Sequence, residues 1–137
     1  MSKAFFKQRE HGSESCIELE SFIAELAFDD KGLLPVIVQA YDSKEVLMFA
    51  WVNEQTLRQT LATNRMCYWS RSRQKVWIKG EESGHIQTLK CLRADCDGDV
   101  LLAEVEQVGS ACHTHRLSCF YWEWDQQAWV RNDECST

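Results

Sequence analysis

The side chains best suited to chemistry lie between Asp95 and Phe120. The stretch opens Asp95-Cys96-Asp97-Gly98-Asp99. In an extended chain successive side chains point to opposite faces. Asp95, Asp97 and Asp99 would then share one face, with Cys96 on the other. Three carboxylates on one face repel unless a cation lies among them, and oxygen donors suit a hard ion such as Mg²⁺. One short segment could thus serve two metals, a hard one on the Asp side and a soft one on the Cys side. The alternate Asp residues also suggest an EF-hand, with Glu106 at the twelfth position from Asp95. That reading fails at the sixth position, where Val100 stands in place of the Gly needed for the sharp turn.

The stretch closes with Ala111-Cys112-His113-Thr114-His115-Arg116-Leu117-Ser118-Cys119-Phe120. Six residues separate Cys112 from Cys119, which is not the C-x2-C of a zinc ribbon. With Cys96 the thiols number three. Three protein ligands and one open position make a catalytic zinc pattern, whereas structural zinc sites usually have four ligands. A zinc ion with an open position delivers hydroxide at neutral pH. Three thiolates weaken its acidity, so a nearby base such as His113 would help deprotonate the water. Either histidine could instead be a fourth ligand or a substrate contact.

A third segment reads Trp69-Ser70-Arg71-Ser72-Arg73, then Trp77-Ile78-Lys79-Gly80-Glu81-Glu82-Ser83-Gly84-His85. Arg71, Arg73 and Lys79 concentrate positive charge in an acidic chain. A turn at Lys79-Gly80 and Ser83-Gly84 offers backbone N–H groups and a hydroxyl to a phosphate. Trp69 or Trp77 could stack on a base. A solvated basic hairpin with its tryptophans in the core would show the same pattern.

The elements that must position these residues follow from periodicity. Ile17 to Phe28 reads as an amphipathic helix, with Ile17, Phe22, Ile23 and Leu26 mostly on one side. Asn53 caps a second helix that runs to Thr63 and stops at Asn64. Strands are expected at 33–41, 46–52, 66–70, 76–78, 86–92, 100–107 and 117–124. Pro35 confines the first of these to an edge or a strand start. The expectation is an α+β fold, mainly antiparallel β, with about two helices. Residues 1–15 read as a polar N-terminal extension and 16–137 as a single domain.

Composition bounds the function classes. The chain has 137 residues and a net charge of -6, of which Asp95, Asp97 and Asp99 supply half. An acidic chain makes a poor non-specific nucleic-acid binder. No apolar run approaches the roughly 20 residues of a membrane helix, and the N-terminus lacks a secretory signal. A cytoplasmic location is therefore expected, where disulfides are rare and clustered cysteines bind metal or do chemistry. Of seven cysteines, Cys67 and Cys91 read as core residues, while Cys16 and Cys135 near the termini carry no expected role.

The words WSRSR at 69–73, WIKGEESGH at 77–85, DCDGD at 95–99 and ACHTHRLSCF at 111–120 together resemble the phosphoribosyl-AMP cyclohydrolase family, in its monofunctional form. The similarity runs from about Leu33 to Trp122. The resemblance implies Zn²⁺ held by Cys96, Cys112 and Cys119, and Mg²⁺ at Asp95, Asp97 and Asp99. It implies an intertwined homodimer, with Cys96 of one chain completing a zinc site begun by Cys112 and Cys119 of the other. It implies a compact sheet or pseudobarrel. It also implies hydrolytic opening of the adenine ring of phosphoribosyl-AMP in histidine biosynthesis. His113 is then the expected catalytic base, and Arg71, Arg73, Lys79 and Ser83 the expected phosphate contacts. One departure is His115, where the family usually has Gly. The chain ends shortly after Trp129, too soon for the pyrophosphate-removing domain that some relatives carry.

Two other classes account for part of the pattern. A zinc nucleobase deaminase also attacks C6 of adenine, but it needs an H-x-E…P-C-x-x-C signature that this sequence lacks. A small structural-zinc module needs a fourth tight protein ligand and unfolds without metal.

Overall fold

The computed structural model describes residues 2–13 and 15–132, so Cys135 lies outside the described residues. The run Leu34–Ala40 is β-branched and alternates buried with half-buried side chains, the pattern of a strand packed on one face. This strand, β1, pairs antiparallel with β2 (Val46–Val52) and parallel with β6 (Leu101–Gln107). The ladder with β6 begins at Val36, so Pro35 sits at the strand start where its missing N–H costs no bond there. The fourth strand is β5 (Gln87–Ala94), antiparallel to β6, giving the order β2-β1-β6-β5.

Two hairpins stand beside this sheet. One joins β3 (Cys67–Ser70) to β4 (Lys75–Ile78), and the other joins β7 (Trp122–Trp124) to β8 (Trp129–Arg131). No described sheet closes on itself, so the expected pseudobarrel is corrected to an open sheet with β2 and β5 at its edges. Closure requires hydrogen bonding between the two edge strands. Here β2 and β5 are separated by the two central strands. The sheet is mixed rather than purely antiparallel, because β1 and β6 run parallel. The α+β class stands.

Among the described residues there are three helices, against the expected two or so. The helix α3 (Glu54–Thr63) begins and ends as the sequence requires. The Asn53 side chain accepts from the Thr56 N–H, the Thr56 hydroxyl accepts from the Asn53 N–H, and Asn64 adopts the left-handed conformation at the C-cap. The helix α2 (Leu19–Glu25) is shorter than the amphipathic pattern suggested. The additional helix is α1 (Ser2–Lys7), inside the stretch read as a polar extension. That stretch carries one apolar pair, Phe5-Phe6. Phe6 is buried edge-on against Phe22, at 5.4 Å between ring centroids. Burying such a ring contributes about 1.5–3 kcal/mol.

The core lies between the inner sheet face and the helices, around Leu34, Val36, Val38, Leu47, Leu57, Met66, Leu101 and Val105. Cys67 is buried within it and Cys91 is half-buried. The expected strand at 117–124 is only partly a strand, since residues 117–121 belong to a loop. No helix among the described residues is long and apolar enough to cross a membrane.

Candidate metal centre and active-site cleft

The segment from Val108 to Phe120 is a folded loop whose shape comes from backbone bonds. The Ala111 N–H donates to the Leu117 carbonyl at 3.0 Å, and the Cys112 N–H to Arg116 at 3.3 Å. The turn closes with the His115 N–H on the Cys112 carbonyl at 3.1 Å. His115 takes φ +68°, so it keeps the left-handed geometry that favours Gly. The far arm is pinned to β2, where the Ser118 hydroxyl donates to the Val46 carbonyl at 2.7 Å and the Cys119 N–H to Leu47 at 2.7 Å. The loop thereby brings Cys112 and Cys119 together, close enough for their thiols to interact directly.

The two thiols differ in character. Burial pushes the Cys112 thiol up. Hydrogen bonds from the Thr114 hydroxyl (3.0 Å) and its N–H, with help from Cys119 and the Arg116 charge, bring it below the usual thiol value. Burial, then the neighbouring Cys112, pushes Cys119 up to about 11. A cation between the two sulfurs would remove that mutual penalty, and soft thiolates favour zinc over hard ions.

Around the thiols lies a cleft of about 510 Å³, walled by Met48 and Phe49 of β2, by Trp77, Lys79, Ser83 and His85, and by His113 and His115. His113 and His115 are exposed to it. Lys79 is buried, and its ammonium donates to the Ala111 carbonyl at 2.8 Å. Burial lowers the Lys79 pKa, while the nearby Cys119 and Cys112 oppose that shift. Phe49 and Trp77 present exposed rings at the rim, suited to stacking on a planar base. A smaller cleft of about 360 Å³, lined by Tyr41, Asp42, Lys90 and Glu106 among others, contains neither cysteine nor histidine.

A model of the phosphoribosyl-AMP cyclohydrolase family matches residues 48–121, a span that contains every cleft residue. A curated phosphoribosyl-AMP cyclohydrolase of Alcanivorax borkumensis is 56% identical over 121 residues, covering 88% of this chain and 85% of its own. That of Hydrogenovibrio crunogenus is 57% identical over 117 residues, 85% of this chain and 80% of its own. That of Rhodospirillum centenum is 58% identical over 103 residues, 75% and 77% of the two chains. The chain belongs to this family. It is accordingly a hydrolase of histidine biosynthesis.

The other sequence-selected residues of this family member fall elsewhere. The stretch Asp95–Asp99 is a turn, with Gly98 at φ +68°, and so departs from the strand-like alternation expected of it. Donor atoms of Asp95, Cys96 and Asp97 lie within 4.8 Å of one another, a cluster able to hold a metal ion. Asp99 stands next to it. Burial raises Asp95, but N–H groups of Asp97, Asp99 and Val100 and the Asp99 carboxyl hold it low, while facing Asp95 raises Asp99. This turn precedes β6, and Cys112 follows it. The seven residues of β6 span about 20 Å at the usual strand rise. Cys96 is therefore remote from Cys112 and Cys119 within one chain. Among the described residues no third His, Cys, Asp or Glu donor groups with both thiols of the loop.

Arg71 and Arg73 are likewise apart from Lys79. They occupy the tip of the β3–β4 hairpin, with Arg71 stacked 4.6 Å from the Trp51 ring centroid, while Lys79 lies at the hairpin base. Ser83 shares the cleft with Lys79. The sequence reading passed over Met48, Phe49 and His85. His85 ends the WIKGEESGH word, so its position was available as a signal. Phe49 looked like an ordinary strand residue and gave none.

Proposed function

We propose that the chain opens the adenine ring of 1-(5-phosphoribosyl)-AMP by hydrolysis of the N1–C6 bond, yielding the formimino imidazole carboxamide ribonucleotide in the third step of histidine biosynthesis. The observation that carries this reading is the convergence of Cys112, Cys119, His113 and Lys79 on one cleft with aromatic walls. Cys112 and Cys119 would hold Zn²⁺ together with Cys96, and Asp95, Asp97 and Asp99 would hold Mg²⁺. The thiol chemistry fits zinc, and the acidic turn fits a hard cation. Bound zinc supplies Lewis acidity that makes water nucleophilic near neutral pH.

The remoteness of Cys96 supports a homodimer in which Cys96 of one protomer completes the site of its partner. A closed structural zinc module fits less well, because it needs four donors and the loop brings two thiols together.

The chain's own residues do the rest. His113, open to the cleft, accepts the proton of the attacking water. Alkylation at N1 makes C6 electrophilic. As the O–C6 bond forms and the N1–C6 bond breaks, N1 takes up a proton, so the product is substrate plus one water. Phe49 and Trp77 hold the base. The substrate carries phosphates on two separate ribosyl groups. Lys79 and Ser83 contact one, and Arg71 and Arg73, at the other end of the hairpin, are assigned to the other. The partners are this small molecule and a second copy of the chain, in the cytoplasm, without nucleic acid or membrane.

Mass spectrometry of phosphoribosyl-AMP after incubation with Zn²⁺- and Mg²⁺-loaded protein tests the reading. A product heavier by one water, and absent after chelation, is expected. Release of ammonia would assign a deaminase, and an unchanged substrate with folded, zinc-bound protein would overturn the assignment.

A further inference from the structure

His85 is held from four directions. Its N–H donates to the Ser83 hydroxyl at 3.2 Å. A Cβ on Gly80 would stand 2.5 Å from its carbonyl carbon, so only glycine lets that turn pack on the His85 backbone. A Cβ on Gly109 would stand 2.8 Å from ring atom Cδ2, so a second glycine leaves room for the imidazole. The fourth contact is between the Ser110 hydroxyl and ring Nδ1, at 3.2 Å.

That last contact orients the ring. Ser110 is buried, with 3% of its surface exposed, and Nδ1 is the one hydrogen-bond partner of its side chain among the described residues. With the hydroxyl donating, Nδ1 accepts and the ring proton sits on Nε2. Nε2 has no partner among the described residues, while the ring lines the same cleft wall as Lys79 and Ser83. The ionisable groups around that cleft are Lys79, Cys112, Cys119, His113 and His115.

We propose that His85 is a substrate-binding residue that donates from Nε2–H to a phosphoryl oxygen, with Ser110 as the residue that positions its ring. The inference rests on the ring-opening activity proposed above. An orientation this fully determined serves a group that must meet a ligand in one geometry. The cation and hydroxyl beside it select an anionic oxygen.

The experiment is steady-state kinetics on phosphoribosyl-AMP with the metal-loaded protein and its His85→Ala, His85→Asn, His85→Gln and Ser110→Ala variants. Zinc content and circular dichroism are recorded for each. His85→Ala should raise KM about tenfold or more, as expected for a lost hydrogen bond to a charged acceptor, with kcat within about twofold. At least one amide variant, retaining an N–H donor, should recover part of that loss, and Ser110→Ala should raise KM by less than His85→Ala. If His85→Ala misfolds, the amide and Ser110 variants carry the comparison. An unchanged KM overturns the proposal. So does a fall in kcat at constant KM in every His85 variant, which would assign proton transfer instead. Wild-type protein that leaves the substrate unchanged would strike the activity itself, an outcome distinct from either.

Discussion

The Lys79 ammonium donates to the Ala111 carbonyl at 2.8 Å, and through that bond the loop after β4 is tied to the loop that carries both cleft thiols. Replacing Lys79 with Met removes the charge and the donor while keeping most of the stem. The loss should cost about 1–2 kcal/mol, less than a full charged hydrogen bond because Met also spares the desolvation of a buried ammonium. Urea denaturation should show the lower midpoint. KM for phosphoribosyl-AMP should rise as well, since the cleft loses a cation assigned to phosphate.

The separation of Cys96 from the other two thiols makes a prediction about mixed protomers. Cys96→Ala and Cys112→Ala should each lose zinc and activity together. Mixed, unfolded and refolded as one solution, they should recover about a quarter of wild-type activity, because half the dimers are hybrids with one intact site. No recovery, with hybrids demonstrated by native mass spectrometry, would mean that the thiols do not combine across chains.

His115 holds φ +68° at a turn where Gly is unstrained. His115→Gly removes that backbone penalty but gives the unfolded chain more freedom. The balance should be a gain of about 1 kcal/mol or less, with zinc stoichiometry unchanged. His115→Val should be destabilising, since a β-branched residue tolerates this region poorly. Thermal melts of the two variants, moving in opposite directions from wild type, are the check.

Gly98 closes the acidic turn at φ +68°, its carbonyl accepts from the Ala27 N–H at 2.8 Å, and its bare Cα packs on the Phe6 ring. Gly98→Ala should cost at least about 2 kcal/mol, combining backbone strain with displacement of the ring. In a Phe6→Ala background the steric part disappears. A double-mutant cycle should therefore show coupling of about 0.5–3 kcal/mol, while purely additive costs would show that the ring does not constrain the turn.

Much of this architecture is written in local chemistry. The capping pair Asn53 and Thr56, the stop at Asn64 and the β-branched runs of β1 and β2 act within a few residues, so the sequence determines them directly. Phe6 was harder to read, because burial depends on what packs opposite, and its partners Phe22 and Gly98 are far along the chain. The open mixed sheet was not legible either. Whether β1 lies parallel to β6, and whether β2 meets β5, depends on long-range pairing that no single strand specifies.

The candidate site divides in the same way. Residue types marked three thiols and three carboxylates as candidate metal donors and a basic, glycine-bearing loop as a candidate phosphate contact, because metals and phosphates select donors by kind. Only the tertiary structure decided their grouping. It joined Cys112 and Cys119 by pinning the loop to β2, and set Cys96 at the other end of β6. It left Arg71 and Arg73 at a hairpin tip, and brought in Phe49 and His85. The reason is that donor chemistry belongs to single side chains, whereas distance between them is set by the length and pairing of the strands that separate them.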